Sequence, residues 1–271
     1  MRILVAPDKF KGSLTATEVT DAIVDGIQDA WQSSGKASSE ATILTCPIGD
    51  GGEGTMELIA RTKGLRKEKV TVTGPMGHPT VAHYFHGNGQ AYLEMASASG
   101  LVLVPREIQN PELASTYGTG ELIQAARKDG ATEIFVGLGG SATIDGGIGC
   151  LEALGFRFLD QQGKPLNCRA LRSGTTIAHL LLSVQDVEPP HSRHSLPALV
   201  SVADVTSPLH GPTGAIARFA RQKGLPPHKL QEYASALESY SMICERSLGI
   251  KVSDVPGTGA AGGLGFGLLL A

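Results

Sequence analysis

The chain is short of cysteine, of aromatic residues and of net charge, and each shortage excludes a class of protein. Four cysteines, Cys46, Cys150, Cys168 and Cys244, occur in 271 residues, with no CxxC pair and no histidine at metal-ligand spacing. That argues against a disulfide scaffold or a zinc module and for inert thiols in a reducing compartment. Lys plus Arg number 23 against 26 Asp plus Glu, so no basic excess points to nucleic acid. No apolar run approaches the ~20 residues that span a bilayer. Met1 to Ala6 lacks the basic region, apolar stretch and cleavage site of a signal peptide. No glycine run ends in Gly-Lys-Ser/Thr, which excludes a P-loop. With 41% hydrophobic and 18% charged residues, the expectation is a soluble, cytoplasmic globular protein that works on a small molecule and engages neither nucleic acid nor membrane.

Glycine is abundant instead, at 35 residues, and much of it falls in clusters between apolar runs. Arg2 to Ala6 reads as a buried strand ending in Pro7-Asp8. Thr15 or Thr17 can cap a helix whose face is Val19, Ile23, Ile27 and Trp31. Ala41 to Cys46 reads as the next strand, and the loop Gly49 to Gly54 opens a helix over Thr55 to Arg61. This βαβα rhythm predicts a parallel sheet. After Gly64 the pattern alternates (EKVTVT), and Thr80 to Phe85 and Gln90 to Met95 flank the hairpin signal Gly87-Asn88-Gly89. Further on, helices are expected over Gly118 to Lys128, Asp145 to Leu154 and Lys229 to Leu248, strands over Glu133 to Gly137 and Pro197 to Val202, and a surface loop over Leu181 to Ser195.

Three glycine clusters lie before helical patterns: Gly49 to Gly54, Gly137 to Gly149 (GLGGSATIDGGIG) and Gly257 to Gly267 (GTGAAGGLGFG). Such loops expose backbone N–H groups at the positive end of a helix and favour phosphate or carboxylate. Gly257 to Gly262 spells GxGxxG, but Val255-Pro256 precedes it where a dinucleotide site needs a strand. Acidic residues recur at strand ends and in these loops: Asp8, Asp50, Glu53, Asp145 and Asp204. Carboxylates there can hold Mg²⁺ or take a proton from a hydroxyl, or they can simply shape turns and cap helices. Lys9 and Lys11 flank Phe10 in the first loop, where a lysine could neutralise phosphate charge.

Taken in order, APDKFKGSL from Ala6, GDGGEGT from Gly49, EMASASG from Glu94, GTGELI from Gly118, GGSATIDGG from Gly139, ADVTSP from Ala203, GPTGA from Gly211 and VPGTGAAGG from Val255 resemble the bacterial glycerate kinase family nearly end to end. The resemblance implies an α/β fold: a flavodoxin-like parallel-sheet domain interrupted by a second, inserted α/β domain. It implies ATP-dependent phosphorylation of D-glycerate to 2- or 3-phosphoglycerate, with ATP and Mg²⁺. The expected division is 1–64 for the first part of the flavodoxin-like domain, 65–255 for the insertion and 256–271 for the start of the return. Members of the family continue past this point with a strand–helix series, so the first domain is expected to be incomplete here and residues 1–64 less stable than 65–255.

The expected roles follow. The ATP phosphates rest on Gly139, Gly140, Ser141 and Thr143, with Asp145, Gly259 and Gly262 at the nucleotide site. Mg²⁺ is held by Asp50 or Glu53, Lys11 neutralises the transferring phosphoryl, and Asp204 or Asp8 accepts the glycerate proton. Two other readings are an impaired, anion-binding remnant of such a kinase and a dinucleotide-dependent oxidoreductase. The oligomeric state is left open, a homo-oligomer included.

Overall fold

In a computed structural model the chain is described over residues 1–10, 13–35, 42–49, 51–169, 175–191 and 196–271. Strand β1 (Arg2–Val5) pairs in parallel with β2 (Thr42–Thr45), with Arg2 opposite Thr42 and Val5 opposite Thr45. Between them runs α1 (Ala16–Ser33). Thr15 starts it with a capping box: its hydroxyl accepts the Glu18 N–H, and Glu18 returns a carboxylate to the Thr15 N–H. Helix α2 (Thr55–Lys63) follows a glycine loop and stops at Gly64, which takes the left-handed conformation at φ +65°.

The larger sheet has five strands in the order β3 (Arg66–Thr73), β4 (Pro79–Gly87), β5 (Gln90–Glu94), β6 (Glu133–Gly137), β9 (Ala198–Val202). Strands β3, β4 and β5 form an antiparallel meander, while β5, β6 and β9 run parallel. The β4–β5 turn is Asn88-Gly89, both at positive φ (54° and 76°), as a two-residue type I′ hairpin requires. The β5–β6 connection carries α3 (Ala96–Ser99) and α4 (Tyr117–Lys128), and the β6–β9 connection carries α5 (Ile148–Ala153), β7 (Arg157–Leu159), α6 (Ile177–Ser183) and β8 (Asp186–Glu188). Helices α7 (Ala215–Phe219), α8 (Leu230–Leu248) and α9 (Leu264–Leu270) complete the chain.

Two expectations need correction. The stretch Leu181 to Ser195 holds the end of α6 and all of β8, which pairs antiparallel with β7; residues 192–195 lie outside the described residues. Its Pro, His and Ser content masked three buried apolar residues, Leu181, Val184 and Val187. The helix expected from Asp145 begins only at Ile148, because Gly146 and Gly147 both take positive φ (64° and 78°).

One large core joins the five-stranded sheet to α4, α5, α6, α8 and α9, with Phe156, Phe158, Tyr233, Tyr240 and Phe266 fully buried. Residues 256–271, expected to begin a return to the first domain, place Leu264, Phe266 and Leu270 inside this core. A second cluster seats Met56 and Ala60 of α2 on Phe85 and Tyr92 of the opposite sheet face, and Arg61 of α2 donates to the Thr17 hydroxyl of α1 at 3.2 Å, so α2 ties the first residues to the larger unit. Among the described residues no helix is long and apolar enough to cross a membrane.

Candidate active site

The carboxyl ends of β1, β2, β6 and β9 open into one cleft of about 930 Å³. Ligands in open α/β sheets bind at this edge, where strands give way to loops whose amides are not spent on the ladder. The volume falls in the range of small-molecule sites. Asp8 enters the wall just after β1, Ile48 after β2, Gly139 to Ser141 after β6, and Asp204 after β9. The glycine loop before α2 supplies Gly52, Glu53 and Gly54.

Glycine is required where these loops meet. A Cβ on Gly139 would lie 2.5 Å from the Gly52 Cα, and Gly51, at φ +82°, packs on the backbone of Ala203. Helix α2 has no side-chain cap of its own at Gly54. Instead the Glu94 carboxylate, from the end of β5, accepts the Met56 N–H at 3.1 Å. Burial pushes the Glu94 carboxyl up to about 7 against the opposing pull of the Met56 and Gly54 amides, and the charges of Glu53 and Glu57 push it the same way as burial.

Of the residues singled out in the sequence, Asp8, Glu53, Gly139, Gly140, Ser141 and Asp204 line the cleft together. Lys11 and Asp50 lie outside the described residues. Lys9 lines the cleft with its Nζ 3.7 Å from the Asp8 carboxylate. Thr143, Asp145, Gly259 and Gly262 are buried behind the wall and are absent from its lining. The Asp145 carboxylate accepts the Thr116 N–H and hydroxyl, each at 2.8 Å, and the Gly147 N–H at 3.2 Å. Thr116 in turn accepts the Cys150 N–H at 2.9 Å, so Asp145 organises the starts of α4 and α5. Burial still holds its carboxyl above the usual range, against those hydrogen bonds. Gly259 and Gly262 serve close packing: a Cβ would lie 2.2 Å from the Pro208 carbonyl oxygen and 2.0 Å from that of Thr143. Their neighbours Ala260 and Ala261 reach the cleft, Ala261 at φ +53°.

Sequence reasoning missed Lys223. It is 2% exposed and lines the cleft, and its Nζ donates to the Ser141 hydroxyl at 2.6 Å and the Thr143 carbonyl at 2.7 Å. Burial pushes its ammonium down to about 7, with the Asp145 charge acting the other way. The flanking Gln222 and Gly224 carried no signal for this; only the fold brings position 223 beneath position 141.

The glycerate kinase family pattern matches residues 3–271. The chain belongs to the glycerate kinase family. It is 41% identical to the glycerate kinase of Haemophilus influenzae over all of its own length and 68% of that protein, and 39% identical to the glycerate 2-kinase of Escherichia coli K12 over 99% and 68%. It is 42% identical to the glycerate kinase of Bacillus subtilis 168 over 99% and 68%. A crystal structure from Salmonella typhimurium LT2, described as a glycerate kinase 2, superposes with a TM-score of 0.83 at 38% identity, covering 100% of this chain and 69% of that one. Membership in the glycerate kinase family makes the chain a phosphotransferase by kinship. The dinucleotide reading loses its footing: Gly257 to Gly262 follows a turn, and Gly259 and Gly262 pack on protein backbone.

Proposed function

We propose that the chain transfers the γ-phosphoryl group of ATP to a hydroxyl of D-glycerate within this cleft, giving phosphoglycerate. The observation that carries the reading is that one cleft, in a chain of the glycerate kinase family, gathers the ends of four strands, with the glycine loop after β6 and the carboxylates Asp8, Glu53 and Asp204. Phosphoryl transfer needs little covalent help from protein. It needs position and charge neutralisation, which strand-end loops supply.

Gly139, Gly140 and Ser141 receive the phosphates. Asp204, exposed at the end of β9, accepts the proton of the glycerate hydroxyl as that oxygen attacks in line and ADP leaves; Asp8, which lines the same cleft, is the second candidate for that role. Lys11 keeps its proposed role as a neutralising cation beside Lys9. Asp145 is assigned to holding the loop and not the nucleotide. The cleft is then the meeting of residues 1–64 with residues 65–255, the proposed two domains.

The fit of Mg²⁺ is judged from the donors. Among the described residues no three His, Cys, Asp or Glu side chains cluster as a cage. Mg²⁺ commonly rides on substrate phosphates with one or two carboxylates, and the cleft presents Glu53 and Asp8 for that, with Asp50 in the same loop. Bound there, Mg²⁺ would supply charge to the phosphates. The acting compartment is proposed to be the cytoplasm, where ATP is available. The test is ADP release from ATP, Mg²⁺ and D-glycerate by the folded chain: glycerate-dependent turnover is expected, and none from a folded preparation would leave the anion-binding remnant.

A further inference from the structure

A lysine sealed from solvent yet facing a ligand cleft is costly unless something anionic meets it. Lys223 spends two N–H bonds on neutral acceptors, the Ser141 hydroxyl and the Thr143 carbonyl. An ammonium has three, and one remains. Among the described residues no carboxylate lies within ion-pair distance of its Nζ. Asp145 acts on it through space only and is itself saturated by Thr116 and Gly147. Over the lysine, the amides of Gly139, Gly140 and Ser141 find no acceptor among the described residues. Gly140 takes a left-handed φ of +73°, the kind of backbone turn that points successive N–H groups to one concavity. The loop cannot retreat, because Gly139 already touches Gly52.

We propose that Lys223 is the cation of an oxyanion subsite in the cleft, completed by the amides of Gly139, Gly140 and Ser141 and by the Ser141 hydroxyl. This rests on the kinase reading for its natural ligands, a phosphate of ATP or the carboxylate of glycerate, which share oxyanion chemistry. The subsite also couples binding to protonation. Burial holds the Lys223 ammonium down at about 7, so above that pH an arriving anion draws a proton onto it from solvent. The charged groups around it are Asp145 behind the loop, Arg221 two residues before it in the chain, and Asp8, Lys9, Glu18, Glu53, Glu57, Arg61 and Asp204 in the lining of the cleft; the packed segment Gln109-Asn110 is neutral. Glu94 titrates in the same window but lies at α2, outside the cleft lining.

The test is calorimetric binding of ATP, D-glycerate and inorganic phosphate, each alone, from pH 6.5 to 9 in buffers of different ionisation enthalpy. The wild type should take up about one proton per bound anion near pH 8, with affinity falling as pH rises above about 7. Lys223→Arg should bind without proton uptake, since guanidinium stays charged. Lys223→Met should weaken binding at least about tenfold, and Ser141→Ala carries the test if the methionine variant does not fold. Loss confined to ATP assigns the subsite to phosphate, and loss confined to glycerate assigns it to the carboxylate. Unchanged affinity and unchanged proton uptake in Lys223→Met overturn the proposal. Phosphate binding that depends on Lys223 in a chain without kinase turnover would keep the subsite and sink the kinase reading instead. A folded wild type that binds none of the three anions would sink both.

Discussion

The two walls of the cleft bring similar chemistry with very different support. Over residues 1–45 the described buried side chains are Val5, Ala16, Val19 and Thr20, while Leu4 is 66%, Leu44 44% and Ile23 40% exposed. Behind the opposite wall the five-stranded sheet and five helices close on one continuous core with five fully buried aromatic rings. Asp8 therefore hangs on a two-stranded ribbon, and Asp204, Gly139 and Lys223 on a packed scaffold. The comparison teaches that a strand-end constellation needs only the ends of its strands in place. The stability that holds them can be supplied from one side, with α2 as the tie.

The largest expected effect of this difference is in hydrogen exchange. Amides of β1, β2 and α1 should exchange at least about a hundredfold faster than those of β5 and β6, because local opening there exposes little apolar surface. Equal protection would break the comparison and mean that the ribbon is closed by some other contact.

Activity sharpens it next. Asp204→Asn should lower kcat by about 10²–10⁴-fold with the melting temperature nearly unchanged, because this carboxylate is exposed and its proposed role is toward the substrate. Near-normal turnover would move the proton-accepting role to Asp8 on the weaker wall.

Asp145→Asn should do the reverse. It leaves a buried amide where a carboxylate accepted the Thr116 and Gly147 donors, which costs about 2–4 kcal/mol of unfolding free energy in denaturant titration. Catalysis in the folded fraction should fall much less. A variant of normal stability with no ATP binding would return Asp145 to the nucleotide site.

The smallest effect concerns the tie between the walls. The Glu94 carboxyl is raised to about 7 from its unfolded value of 4.5, so the native state holds the extra proton between those values. Its contribution is full below 4.5 and is lost as pH rises through about 7. Glu94→Gln keeps an acceptor for the Met56 N–H without the charge. It should gain stability over the wild type across that window by on the order of 1–2 kcal/mol. A flat difference between the two proteins from pH 4.5 to 8 would show that Glu94 does not hold α2 as described.

Much of this architecture was legible in the residues. Alternation in EKVTVT, the Asn88-Gly89 turn and the apolar run of Glu133 to Gly137 each carry their own local cause, and each formed the element expected. Strand-end carboxylates were legible for the same reason, since Asp8 and Asp204 directly follow their strands. The surroundings of Asp145 were not legible, because a glycine loop before a helix looks alike whether its amides face ligand or a neighbouring helix start. Here the Asp145 carboxylate accepts the Gly147 amide of the loop together with the Thr116 N–H, 29 residues away in sequence. Lys223 was illegible for the converse reason: its meaning lies in a contact with Ser141 across 82 residues, which no local pattern records. The placement of α9 in the large core was likewise set by long-range closeness, Gly147 against Gly267, and not by the sequence around it.

The most direct test of the whole account is the fate of the phosphoryl group. The purified chain, ATP, Mg²⁺ and D-glycerate should be followed by phosphorus NMR. A phosphomonoester resonance of phosphoglycerate should grow in step with ADP, and it should be absent without glycerate. ADP formed at the same rate with and without glycerate, yielding only inorganic phosphate, would contradict the central claim that this cleft hands phosphate to the sugar acid.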